Sequence, residues 1–396
     1  MDRCITKLEK SNGRVFALAC ALAIALVVIP SATGQNDGQG LAPTPSQALA
    51  FEQRGQNAEA ERAWLSILDA NPRNAEALAH LGLLKARHER YGEAIDYYRR
   101  AAAISPDLPG LQMNLGLAFF KASQFPDAIA AFTIELKRHP GDPRLTILLG
   151  MAHYAMKDYL VAIPYLQRTA AQDSQNVALR FTLAQSCLRS KQDQCALDAC
   201  REILALNPNS ADADMLAAQA LDRMGDEAGA VKALKAAVQA DPTHPDAHFG
   251  LGYLLWTENQ WSQAADEFEL ELQTNPDHPA ARTYLGDAWV RLNEFEKALP
   301  VLEKLAGERG SDSMVHLDLG IVFAQTGRKE DALRQLRTAE QSDPEDRLSP
   351  MQIARLYQLL GKGQEAAAER QAREKLPARP HASLEETLDS IESPTP

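Results

Sequence analysis

Cysteines, histidines and two carboxylates in apolar surroundings are the residues of this 396-residue chain whose types could support chemistry. Cys187 and Cys195 stand eight residues apart, close enough to face each other across a tight helical turn as a disulfide; two or three buried thiols, with Cys200, are the alternative. The nine histidines are dispersed, and His244, His248 and His278, the nearest to a group, follow no metal-ligand spacing. There is no His-Glu-x-x-His, no glycine-rich phosphate loop and no nucleophile elbow. Glu135 and Glu271 sit where small packed residues would be expected, and a buried carboxyl with a raised pKa can serve as an acid or base. They are 136 residues apart with no histidine cluster beside either, so pairing with a neighbouring helix is the expected role. These residues lead to an expectation of no enzyme, no cofactor and no metal. The net charge of −12 and the lack of a basic run also argue against a nucleic-acid partner.

The N-terminus carries a different kind of information. Arg3, Lys7, Lys10 and Arg14 precede an apolar stretch over 15–29, followed by small residues with Ala32 and Gly34 at −3 and −1 of a cleavage before Gln35. This pattern predicts a signal peptide over 1–34 and an exported protein, periplasmic or secreted. The alternative is a chain tethered to the membrane by an uncleaved segment. Cys20 lies inside the apolar stretch, the wrong place for a lipid. No Asn-x-Ser/Thr acceptor occurs, which fits a periplasm slightly better than a eukaryotic secretory route.

What would position any functional side chain is a repeat. Alanine recurs every 34 residues, at Ala60, Ala94, Ala128, Ala162, Ala196, Ala230, Ala264, Ala298, Ala332 and Ala366. Twelve residues earlier stands Gly or Ala (Ala48, Gly82, Gly116, Gly150, Ala184, Ala218, Gly252, Gly286, Gly320, Ala354), and twelve later usually proline. The spacing predicts helical hairpins in which the small residue at position 8 faces the alanine at position 20. Leucine at position 7 and an aromatic or leucine at position 24 form the buried stripes, and the proline at position 32 ends the second helix. Gly55, Gly225, Asn259, Asn293, Gly327 and Gly361 mark the turns. One hairpin cannot bury its stripe alone, so neighbours must stack.

This pattern resembles the tetratricopeptide repeat family. The resemblance implies an all-α solenoid of about ten stacked helix-turn-helix hairpins in a right-handed superhelix, with the first helix of each pair lining a concave groove that binds proteins or peptides. The expected layout is a linker over 35–44 and ten repeats filling 45–378, on frames 41–74, 75–108, 109–142, 143–176, 177–210, 211–244, 245–278, 279–312, 313–346 and 347–378. An acidic tail over 379–396 follows, with a short capping helix. Shared prolines and a shared Phe-x-x-Glu-Leu point to duplication of a four-repeat, 136-residue block. Pro164 and Pro300 are expected in the first turns of their helices.

Positions 2, 5, 9 and 12 of the first helix share a face, which the resemblance turns into the groove. That face carries Leu83, Met113, Leu117, Phe120, Ile147, Met151, Tyr154, Phe181, Met215, Phe249, Tyr253, Trp256, Leu317 and Ile321. An apolar wall of this kind suits peptides or amphipathic helices; internal packing is the alternative. A carboxylate clamp is not expected, since only Asn114 and Arg144 fall near its positions. In the tail, Ser383 and Glu386 form a capping box before Leu384, Leu388 and Ile391, and contact with the last repeat is the expected support for so short a helix. The function expected is a scaffold or adaptor, with a structural part of an envelope assembly or export machine, binding through its convex face or edges, as the alternative.

Overall fold

A computed structural model of the chain describes residues 43–308, 313–342, 350–375 and 382–392. The segment expected as a signal peptide, 1–34, and nearly all of the expected linker lie outside the described residues. Among the described residues there are 21 helices and no strand, and no helix is long and apolar enough to cross a membrane.

The chain divides at Cys195 into two compact units. The first holds α1 (Pro45–Gln53), α2 (Asn57–Ala70), α3 (Ala75–Arg87), α4 (Tyr91–Ile104), α5 (Leu111–Lys121), α6 (Phe125–Arg138), α7 (Pro143–Ala155), α8 (Tyr159–Gln172) and α9 (Val177–Arg189). Helix α10 (Asp193–Leu206) begins at the division. The second unit holds α11 (Ala211–Arg223), α12 (Glu227–Ala240), α13 (Ala247–Thr257), α14 (Trp261–Thr274), α15 (Pro279–Leu292) and α16 (Phe295–Glu308). It continues with α17 (Ser313–Gln325), α18 (Lys329–Gln341), α19 (Pro350–Leu359), α20 (Gly363–Lys375) and α21 (Leu384–Glu392). Within each unit the first helix (A) of a repeat packs against its second helix (B), and most B helices pack against the next A helix, as α4 does on α5 and α14 on α15.

Local chemistry sets the helix ends. Asn74, Asn176 and Ser210 cap α3, α9 and α11 by accepting a backbone N–H two or three residues into the helix. The first helix opens at Pro45 behind a Thr44–Gln47 capping box. Every A–B turn passes through one residue of positive φ at repeat position 15. The six Gly and Asn turns do so, and so do Glu89, Ser123, Lys157 and Lys191, with φ of 58°, 59°, 63° and 58°. The hairpin geometry imposes this conformation even where the residue disfavours it.

In most repeats the small residue at position 8 has a different neighbour from the one expected. A Cβ added to Gly116 would stand 2.5 Å from the Phe132 ring, and one added to Gly82 or Gly252 would stand 2.7 Å from Tyr98 or 2.8 Å from Phe268. At Gly82, Gly116, Gly150, Gly252 and Gly286 position 8 therefore makes room for the large side chain at position 24 of the same hairpin, whereas Gly320 meets Leu356 and the carbonyl of Ala332, the alanine at position 20. Burying each such ring contributes about 2–3 kcal/mol. Pro164 and Pro300 lie six residues into α8 and α16, past the first turn where they were expected. Each therefore removes one internal hydrogen bond from its helix.

Candidate functional site

In the second unit the main contacts of the tail, among the described residues, are not with the last repeat where they were expected. Helix α21 lies across the A helices of repeats 6 and 7, α11 and α13. Its capping box is formed: Ser383 Oγ accepts from the Glu386 N–H at 3.2 Å, and the Glu386 carboxylate accepts from the Ser383 N–H at 3.1 Å. The Leu384 N–H, a free donor at any helix start, reaches Asp222 Oδ2 on α11 at 2.7 Å. Arg223, the next residue, forms an ion pair with Glu385 in which both side chains are largely shielded from solvent. Tyr253 donates its hydroxyl to the Ala382 carbonyl at 2.6 Å. Leu384 is fully buried and packs beside Gly250, where an added Cβ would stand at ordinary contact distance, 3.5 Å, from its Cδ1. Leu388 and Ile391 lean on the same core.

The floor of this seat is aromatic. The Phe249 ring stacks on His278 at 4.7 Å, and Tyr284 meets Tyr253 and Trp256 edge-on at 5.4 and 5.0 Å. Trp256 Nε1–H donates to the wholly buried Asp287 at 2.6 Å, and Arg291 donates to the other oxygen at 3.2 Å while covering the Trp261 ring. Burial pushes the Tyr253 hydroxyl up to about 12. Burial likewise raises the Asp222 carboxyl above its ordinary range, the Leu384 N–H opposing it.

Asp246, Glu271 and His278 bring three ligand-type atoms within 4.8 Å of one another at the back of the seat. The Ala281 N–H donates to His278 Nδ1 at 3.0 Å, which leaves the ring proton on Nε2, facing Asp246 Oδ1 at 3.2 Å. Glu271 accepts the Phe249 N–H at 3.2 Å, and burial raises its carboxyl. A cation would need the Nε2 lone pair, so the donor set fits a hydrogen-bonded repeat junction better than a metal centre. The other two histidines considered with His278 are engaged elsewhere, His244 with Asp212 and His248 with Glu267.

The residues expected in the groove are mostly core. Phe249, Tyr253 and Trp256 are buried, as are Leu317 and Ile321 in α17. In the first unit Leu83, Met113, Phe120 and Met151 are buried, whereas Leu117, Tyr154 and Phe181 are half-buried. Tyr154 donates to Gln185 at 2.6 Å. An A helix is flanked by its own B helix and by both neighbouring repeats, so its apolar positions are covered on several sides. Cys187 and Cys195 are joined, with an S–S distance of 2.03 Å and Cα atoms 5.6 Å apart. Cys200 is a buried free thiol, pushed up to about 12 by burial. Asp222, which receives the Leu384 N–H, went unnoticed in the sequence because its partner lies more than 130 positions away.

The tetratricopeptide repeat family model matches residues 46–109, 113–177, 147–211, 215–279 and 256–313, well over half of the chain. A BBSome complex member, BBS4 of Bos taurus, is 23% identical over 151 residues, 36% of this chain; the chain thus spans 29% of that protein's length. Among solved structures, the C-terminal part of a tetratricopeptide repeat protein from Cytophaga hutchinsonii superposes with a TM-score of 0.50 at 14% identity, covering 61% of this chain and 98% of that one. YrrB, described as a tetratricopeptide repeat protein with an unusual peptide-binding site, gives a TM-score of 0.42 at 19% identity over 47% of this chain and 96% of its own.

Proposed function

The chain belongs to the tetratricopeptide repeat family, whose members generally act as protein-interaction scaffolds, and from that premise we propose that it is a non-catalytic scaffold of an exported compartment that takes up peptides or helices of partner proteins on its A-helix face. One observation carries the reading: the A helices of repeats 6 and 7 already hold an amphipathic helix, α21, on an aromatic floor. Helix-accepting faces work in this way, with a few apolar anchors at helical spacing seated between polar contacts that fix register. Export is supported by the N-terminal pattern and by the Cys187–Cys195 bond, since such bonds persist in oxidising compartments.

Partner capture from the native organism, compared between wild type and Arg223→Glu, tests the face. Loss of specific partners from the variant is expected, and an identical set would contradict the reading. Export is tested by the mature N-terminus: Gln35 is expected, and an intact Met1 in the cytosol would contradict it. The alternative, attachment to an envelope assembly through an edge, is favoured by Met156, Leu160 and Val161, which are exposed together beside the turn of repeat 4. Leu160→Glu would then release the protein from its assembly while leaving capture on the A-helix face unchanged.

A further inference from the structure

We propose that α21 is a built-in stand-in ligand, and that the partner of the seat on repeats 6 and 7 is an acidic amphipathic helix of the same chemistry which displaces it. The inference rests on the reading of the A-helix face as a binding surface and names what that face selects.

The contacts define the ligand. A Ser or Thr cap opens the helix, and the first N–H after it is received by Asp222. The first helical residue is apolar and fully buried beside Gly250. The second is acidic and pairs with Arg223. Apolar residues four and seven positions after the first, Leu388 and Ile391 in the tail, continue the stripe against the aromatic core. The segment is acidic throughout: residues 382–392 contain Glu385, Glu386, Asp389 and Glu392 and no base, and Glu386 is exposed. Arg223 then selects by charge, and Asp222 selects for a helix start, because a side chain in place of the free N–H would leave a half-buried carboxylate without its donor.

The same contacts explain why the tail can be exchanged. A helix of nine residues does not persist alone in water. Among the described contacts, this one is held by the buried Leu384 side chain, the Glu385–Arg223 ion pair and hydrogen bonds to Asp222 and Tyr253. Its occupancy owes much to the tether, since only eight residues separate Lys375 from Leu384 and give the tail a high effective concentration. A partner helix that repeats these contacts and extends the apolar stripe would outcompete it, and a short, imperfect stand-in keeps weak apolar segments off the aromatic floor.

The test uses the full-length chain and a fluorescent peptide of residues 382–392. In the release variant Leu384→Asp with Leu388→Asp, peptide anisotropy is expected to show binding at least ten-fold tighter than in wild type. Adding Arg223→Glu to that variant should weaken the peptide at least ten-fold, and a peptide carrying Glu385→Arg should recover the loss. Recovery by charge exchange keeps the result independent of any general loss of folding. Equal binding to wild type and release variant would overturn the stand-in role while leaving a helix-accepting face intact. Binding to neither would overturn both the stand-in role and the broader reading of the face. Tight binding that ignores the charge exchange would overturn the proposed selectivity.

Discussion

Replacing Gly116 with alanine separates packing from helix propensity. In an exposed helix interior the change would be favourable by about 1 kcal/mol. Here the new methyl would stand 2.5 Å from Cε1 and 2.6 Å from Cδ1 of Phe132, a fully buried ring that cannot retreat. Overpacking of this kind costs about 1–3 kcal/mol, so a net loss of about 1–2 kcal/mol is expected. Gly92→Ala is the control: its methyl meets nothing within 4 Å, and it should be neutral or slightly stabilising. Long repeat arrays need not unfold in one step, so the readout is native-state hydrogen exchange of the α5 and α6 amides alongside the urea midpoint. Protection in these helices should fall by about ten-fold in Gly116→Ala, given about 1.4 kcal/mol per factor of ten, and remain unchanged in Gly92→Ala. Phe132→Leu in the Gly116→Ala background should cost less than Phe132→Leu alone, a coupling that reports the contact itself. Unaltered protection in Gly116→Ala, or zero coupling, would refute the assignment of position 24 as the partner of position 8.

Other outcomes follow from the same structure. Lys157→Gly should stabilise the protein by about 1 kcal/mol and Gly225→Ala should destabilise it by about as much, because both residues hold positive φ in the same turn; paired thermal melts showing same-sign shifts would contradict this. Thiol counting under denaturing, non-reducing conditions should find one free thiol, Cys200, in a chain that begins at Gln35, and Cys187→Ala should lower stability by about 2 kcal/mol for so short a loop. His244 is held above its ordinary value of 6.5, chiefly by its hydrogen bond to Asp212. That stabilisation is complete below about pH 6.5 and is lost as pH rises through the folded-state value. His244→Ala should therefore lower the melting temperature at pH 5.5 and have little effect at pH 9, with a magnitude below about 1 kcal/mol because Asp212 is exposed. A deficit that grows with pH would be inconsistent with this pairing.

The repeat frame was legible because its signals are local. A small residue at 8, alanine at 20 and proline at 32 fix where the helices must approach and where the second must stop, and the B helices of repeats 1 to 8 each end two residues before position 32. The turns at Gly55 and Asn259 were equally open to reading, but Glu89 and Lys191 adopt positive φ with no sign in their side chains, because closure of the hairpin overrides local preference. The partner of Gly116 was misassigned because a helical wheel orders the residues of one helix and does not say which side chain of the next fills its groove. The apolar face was found and internal packing was the alternative kept for it; Phe249 and Trp256 are covered by Tyr284, Asp287 and the neighbouring helices of the stack. The tail was read as an amphipathic helix from Leu384, Leu388 and Ile391. Its resting place, on Asp222 and Arg223 some 162 residues earlier, depends on folding that brings distant repeats to it.

Hydrogen exchange at the α21 amides of the full-length chain tests the seat most directly. The account predicts protection over 387–392 that disappears in Arg223→Glu with Leu384→Asp and is likewise lost when an excess of the 382–392 peptide displaces the tail. Exchange of these amides at the rates of an unstructured chain in the wild-type protein would contradict it.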